Sequence, residues 1–224
     1  MIGQRSPTLH MSIRNFLVAF SFFIAYVTAA QTVSEAPSRT IATGKAELTA
    51  FAIAPKGDRL LVGTDNGAGL FEIESGKKIY ALGYNEDKGT AVYYVAFNEN
   101  GEYAVLMGHS GKRTVWNLTD GKQERVITSF RWIPDPRSVK AMGLDMSNST
   151  FDRFYQQDEV KIGDVTVRAG KNGIVEFVGA DGKVQRTITF PENKDQHHRA
   201  PLLVWEGKLL IGTDNGNVVF YDLL

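Results

Sequence analysis

Three histidines raise the first chemical question. His109, His197 and His198 could offer three imidazoles to a divalent metal if loops brought them together. His197 and His198 are adjacent rather than spaced for one face of a helix, so solvated loop histidines are the plainer reading. Thr64-Asp65-Asn66-Gly67 and Thr213-Asp214-Asn215-Gly216 carry oxygen donors that suit hard cations. Neither has the dense alternating acidic spacing of a calcium loop, and Asp and Asn capping their own turns explains them. The nucleophile elbow, the Walker loop, the dinucleotide fingerprint and zinc-ligand spacing do not occur in the sequence. No catalytic, cofactor-binding or metal residue is therefore assigned, and no cofactor is expected. Recognition chemistry remains. Tyr84, Arg131, Trp132, His197, His198 and Arg199 stand between apolar runs, and aromatics and arginines on projecting loops are what binding hot spots are made from.

The elements that would carry those loops come from a repeat. Leu60-Leu61-Val62-Gly63-Thr64-Asp65-Asn66-Gly67 returns 149 positions later as Leu209-Leu210-Ile211-Gly212-Thr213-Asp214-Asn215-Gly216. Ser110-Gly111 and Asn172-Gly173 punctuate the chain in the same way, and Gly and Asn reach positive φ cheaply. Beyond each glycine comes an aromatic (Phe71, Trp116, Phe177, Phe220), read as inter-blade core because it recurs at one register. Beyond the first three comes a Gly-Lys pair at 76–77, 121–122 and 182–183. Apolar runs flank every turn, giving units of about 40–45 residues with four strands each, which is the period of propeller blades. No helix of useful length is read after residue 30.

The stretches 209–223 and 111–122 carry a resemblance to the WD40-like superfamily of β-propellers, including its quinoprotein-like relatives. Residues 48–128 and 165–224 follow the pattern well and 129–164 poorly. The family's Gly-His and Trp-Asp signatures are not present: the corresponding dipeptides are Phe71-Glu72, Trp116-Asn117, Phe177-Val178 and Phe220-Tyr221. The resemblance implies an all-β fold, a small propeller of about four four-stranded antiparallel blades.

The glycines at 67, 111, 173 and 216 are 44, 62 and 43 residues apart. The middle interval is too short for a further blade, so it is read as an insertion near 146–164, with the first strand of the third blade at 139–145. The last blade lacks a fourth strand. Arg39-Thr40-Ile41-Ala42-Thr43 resembles the fourth strand Arg186-Thr187-Ile188-Thr189-Phe190 and is expected to complete that blade and close the ring at the N-terminal strand. The alternative is a partial propeller completed by a second copy. In a meander, the second-to-third-strand turns and the blade-to-blade connections share one face. That face should carry Asp65, His109, Lys171 and Asp214 with the connections 83–90, 129–138 and 191–200.

Residues 1–30 read as a secretory signal: a basic start with Arg5, His10 and Arg14, an apolar core from Phe16 to Val27 and a small-residue cleavage site at Val27-Thr28-Ala29 or Thr28-Ala29-Ala30. Met11 is an alternative start. The apolar run is short for a membrane span, which needs about 20 residues. Residues 31–37 follow as a linker, and the propeller occupies 38–224. Past the signal stand 23 basic and 25 acidic residues, so nothing favours a nucleic acid or an anionic membrane. With no cysteine, the fold must be held by its core. The reading is an exported, periplasmic or extracellular, non-catalytic binding module that presents a loop face to a protein, peptide or glycan. The alternatives are a propeller enzyme (hydrolase, lyase or quinoprotein-like oxidoreductase) and an oligomer-completed propeller.

Overall fold

The structure, a computed structural model, describes residues 32–86, 89–108, 110–127, 157–170, 173–190 and 201–224. These residues form strands and no helix. Four antiparallel four-stranded sheets result, each a blade. Blade one is β2 (Leu48–Ile53), β3 (Arg59–Thr64), β4 (Gly67–Glu72) and β5 (Lys78–Leu82). Blade two is β6 (Tyr94–Phe97), β7 (Tyr103–Met107), β8 (Arg113–Asn117) and β9 (Lys122–Ile127). Blade three is β10 (Glu159–Ile162), β11 (Val165–Ala169), β12 (Ile174–Val178) and β13 (Val184–Thr189). Blade four is β14 (Leu202–Trp205), β15 (Lys208–Gly212) and β16 (Asn217–Asp222), with β1 (Arg39–Ala42) as its fourth strand.

The repeated Leu-Leu-Val-Gly and Leu-Leu-Ile-Gly runs lie in β3 and β15, where side chains on both sheet faces are buried against neighbouring blades. Two buried faces explain a continuous apolar run in place of alternation. Outer strands instead read polar, as in β9, whose first five residues are exposed.

β1 pairs with β16 from Arg39↔Phe220 to Ala42↔Asn217. The stretch read as a linker is also drawn onto β16: Val33 bridges Leu223, and Ser34 N donates to Asp222 O at 2.8 Å. In blade three the first strand is Glu159–Ile162, inside the segment read as an insertion. It turns at Gly163-Asp164 and pairs Ile162 with Val165. A two-residue glycine turn between short alternating runs is a hairpin signal in its own right. Residues 139–145 lie outside the described residues.

Three apolar clusters join the blades. One joins blades one and two through Leu61, Leu70, Val95 and Leu106. A second joins blades four and one through Phe220, Val218, Leu60 and Phe71. The third joins blades three and four through Phe177, Val167, Leu209 and Tyr221. All four repeat aromatics are core, but not at one register. Phe177 and Phe220 face the following blade, whereas Phe71 and Trp116 face the preceding one. In blades one and two the following-blade position is taken by Leu70 and Val115, one residue earlier. A one-residue offset in a strand reverses the face.

Candidate functional site

Tyr84 is the one expected hot-spot residue among those described; Arg131, Trp132, His197, His198 and Arg199 lie outside them, as do His109 and Lys171. Tyr84 does not project. It is 5% exposed, and its hydroxyl accepts from Gly108 N at 2.9 Å and faces Lys112 O at 2.8 Å and Glu86 Oε2 at 3.0 Å. Glu86 also accepts from Ser110 N at 3.0 Å and from the Ser110 hydroxyl. The connection after blade one is thereby tied to the β7–β8 turn. Burial, then the neighbouring Glu86 carboxylate, pushes the phenol well above its ordinary range. A Cβ at Gly108 would overlap the Tyr84 ring, so a glycine is required beneath it. The sequence reading missed this because aromatic type alone does not distinguish a buried tie from an exposed anchor.

The repeated Thr-Asp-Asn-Gly turns are structural, with threonine as the hub. Thr64 Oγ1 donates to Gly67 O at 3.0 Å and accepts from Asn66 N at 3.0 Å. Thr213, fully buried, accepts from Asn217 N at 3.0 Å. Among the described residues, no group of three His, Cys, Asp or Glu side chains is placed to hold a metal ion.

At three blade junctions, a residue on the outer strand reaches across to main-chain carbonyls. Tyr80 of β5 donates to Thr119 O of blade two at 3.0 Å. Arg39 of β1 donates to Glu74 O of blade one at 2.6 Å. Both acceptors stand two residues before a corner glycine, Gly76 or Gly121. Arg186 of β13 donates to Val33 O at 2.6 Å and Ser34 O at 2.9 Å, with its guanidinium 5.2 Å from the Phe177 ring centre. Registers agree: Tyr80 is opposite Leu70, Arg186 opposite Phe177 and Arg39 opposite Phe220. The fourth equivalent, Arg125, is opposite Val115.

At the hub, Gln157 joins three blades. Its side-chain amide accepts from Phe51 N at 2.7 Å and donates to Phe51 O at 2.8 Å, and the Gln157 main-chain carbonyl accepts from Leu202 N at 2.5 Å. The glutamine stands beside β2 as a neighbouring strand would, pairing main-chain groups that would otherwise be a bare edge.

Blade three departs from the common plan on the face turned away from blade four. Glu159, Arg168 and Glu176 are opposite one another across three strands, with Lys161 opposite Thr166. Arg168 pairs with Glu176 at 2.7 Å, with 52% and 28% of the two side chains exposed. A hollow of about 490 Å³ is lined by Lys161, Asp164, Thr166, Arg168, Ala180 and their neighbours. The corresponding faces of blades one, two and four are apolar and belong to the three clusters. A surface ion pair is worth about 0–1 kcal/mol, far less than a buried apolar face, so blade–blade packing does not account for this surface.

No protein-family model and no curated protein matches the chain. Among solved structures it is similar to the structure of U3-55K and to the crystal structure of the RRP9 WD40 repeats. Each is 11% identical with a TM-score of 0.39, over 84% of this chain and 56% of that one. The chain thus spans little more than half the length of those propellers.

Proposed function

We propose that this four-bladed, WD40-like propeller is an exported, non-catalytic binding module that takes a protein partner. The observation that carries the reading is the charged face of blade three, with its hollow of about 490 Å³, where the other blades bury apolar surface. Alternating Glu159, Arg168 and Glu176 recognise a partner by charge pattern, which sets specificity and encounter rate more than raw affinity. Arg131, Trp132, His197, His198 and Arg199, whose residue types suit partner contacts, lie outside the described residues. Export rests on residues 1–30, with their basic start, apolar core and small-residue end. Among the described residues, no helix is long and apolar enough to cross a membrane.

Photo-crosslinking in the native host tests the binding reading. A photoreactive residue at Thr166 is expected to give one discrete heavier adduct, lost when Lys161→Glu and Arg168→Glu are combined. A photoreactive residue at Ile79, on the outer edge of blade one, is expected to give none. Adducts of equal yield at both positions would remove blade three from the argument. For export, N-terminal sequencing of the mature chain is expected to begin after Ala29 or Ala30, and an intact leader would refute it.

A further inference from the structure

Three Asn-Gly pairs lie among the described residues: Asn66-Gly67, Asn100-Gly101 and Asn215-Gly216. Asn172, of a fourth pair, lies outside them. An asparagine before glycine can react with its own main chain, because no Cβ shields the next nitrogen. The three sites are alike in most respects that govern this reaction. Each asparagine is exposed and follows an acidic residue, Asp65, Glu99 or Asp214. The glycines have φ of 80°, 73° and 84°. Each glycine N–H is held once: Gly67 N donates to Thr90 O at 2.8 Å, Gly101 N to Asn98 O at 3.0 Å and Gly216 N to Thr213 O at 3.3 Å.

The side chains differ. Asn100 is held at both ends of its amide: Nδ2 donates to Glu102 Oε2 at 2.8 Å, and Oδ1 accepts from Glu102 N at 3.0 Å. Asn215 Oδ1 accepts from the Thr213 hydroxyl at 2.5 Å and from Asn217 Nδ2 at 3.0 Å. Asn66 is held through its main-chain N–H, 3.0 Å from Thr64 Oγ1, and its side-chain amide has no hydrogen-bond partner among the described residues. The cause is local. Ala68 stands where blade four has Asn217, and the Thr64 hydroxyl turns to Gly67 O.

We propose that Asn66 is a site of self-modification, converting to aspartate and isoaspartate while Asn100 and Asn215 are spared. The Gly67 nitrogen, its proton lost to water, attacks Asn66 Cγ. The new C–N bond closes a cyclic imide, and the side-chain nitrogen takes up a proton from water and leaves as ammonia. Water then adds across either imide C–N bond, giving aspartate or isoaspartate. Conversion adds a carboxylate beside Asp65, and isoaspartate adds a methylene to the main chain where Gly67 meets Thr90. At Asn100 and Asn215 two further bonds must open first, which slows them by roughly tenfold or more relative to Asn66. The spared copy borders the stitch, since Gly216 O accepts from Thr43 N at 2.8 Å and from Thr43 Oγ1 at 3.0 Å. This chemistry is independent of what the propeller binds.

Peptide mapping by mass spectrometry, after the purified protein has stood in warm, mildly alkaline buffer, reads the three sites separately. Asn66 is expected to convert at least roughly tenfold faster than Asn100 and Asn215 in the folded protein. In denaturant, where the hydrogen bonds are gone, the three rates should converge. Asn217→Ala gives blade four the alanine of blade one and is expected to raise the Asn215 rate severalfold with Asn66 unchanged. Glu102→Ala is expected to do the same for Asn100. Hydrogen exchange at Gly67 should rise as Asn66 converts. Three results would overturn the proposal: an Asn66 that does not convert in the folded protein, an Asn100 or Asn215 that keeps pace with it, or an order of rates that persists in denaturant.

Discussion

Gln157 offers the sharpest test of how the hub is held. Phe51 is 2% exposed, and its main-chain N–H and carbonyl both turn toward the Gln157 amide, at 2.7 and 2.8 Å. Gln157→Ala removes both partners at once. An unpaired buried main-chain group costs about 1–3 kcal/mol, and partial entry of water at this half-buried position trims the worst case by about a third, giving about 2–4 kcal/mol for the pair. A domain of this size moves by roughly 2–4 °C per kcal/mol, so thermal unfolding followed by circular dichroism should shift down by about 4–16 °C. Gln157→Glu separates pairing from packing. Its carboxylate still accepts from Phe51 N–H, but the second oxygen faces the Phe51 carbonyl with no proton between them. The folded state then favours the protonated acid, whose pKa rises above the ordinary value of about 4.3. With the folded pKa raised, the folded chain binds the extra proton, so stability is higher below the ordinary pKa and falls as pH rises toward the folded value. Relative to Gln157→Ala, Gln157→Glu should be the weaker protein at pH 7 and recover on acidification toward pH 4. A Gln157→Ala shift under 2 °C, or a Gln157→Glu variant that tracks Gln157→Ala at every pH, would refute the reasoning.

Three further outcomes follow from the same geometry. Tyr84→Phe removes the hydroxyl that joins Gly108 N, Lys112 O and Glu86, and should cost about 1–3 kcal/mol in denaturant unfolding; no measurable loss would mean that the phenol is dispensable to the tie. Arg186→Ala should raise hydrogen exchange at the amides of Ser34 and Ser38, which donate to blade four, while leaving blade one unchanged. Lys208 and then Ser38, through hydrogen bonds, hold the Asp222 carboxyl below the usual carboxylate range. With the folded pKa depressed, the stabilisation is present above the ordinary carboxylate pKa and lost as pH falls through the folded value. Protection of the Ser38 amide, taken relative to its intrinsic exchange rate at each pH, should therefore fall in acid, and Asp222→Asn should remove that dependence.

Blade architecture was readable because it depends on features visible along the chain. Turn glycines at 67, 111, 173 and 216 recur with each blade, and doubly buried runs such as Leu209–Gly212 recur in blades one, two and four. The match between Arg39–Thr43 and Arg186–Phe190 likewise located β1 as the fourth strand of blade four. Blade three was misplaced at its start. Glu159-Val160-Lys161-Ile162 puts its polar residues on a face that other blades make apolar, so it reads as decoration until its partner Val165–Arg168 is seen. The outer strands β5, β9 and β13 each skip one residue, with register shifts at Leu70/Phe71, Val115/Trp116 and Phe177/Val178, and a bulge leaves no compositional mark. Tyr84 and Gln157 were illegible for a different reason. Their roles are set by partners 24 to 106 residues away, Gly108 and Phe51, and sequence separation of that length carries no local pattern.

The stitching of blade four imposes an order of assembly. Arg39 is opposite Phe220, so a strand waits for a partner synthesised 181 residues later. Joining segments so far apart is entropically slow, and a chain dominated by such pairings folds late and exposes strand edges meanwhile. Blade one can form as soon as residue 82 has left the ribosome, but its face toward blade four stays bare until β15 and β16 arrive. A nascent chain of this wiring therefore remains soft from the synthesis of β5 until that of β16, and a holding chaperone would find its target in the unfinished face of blade one.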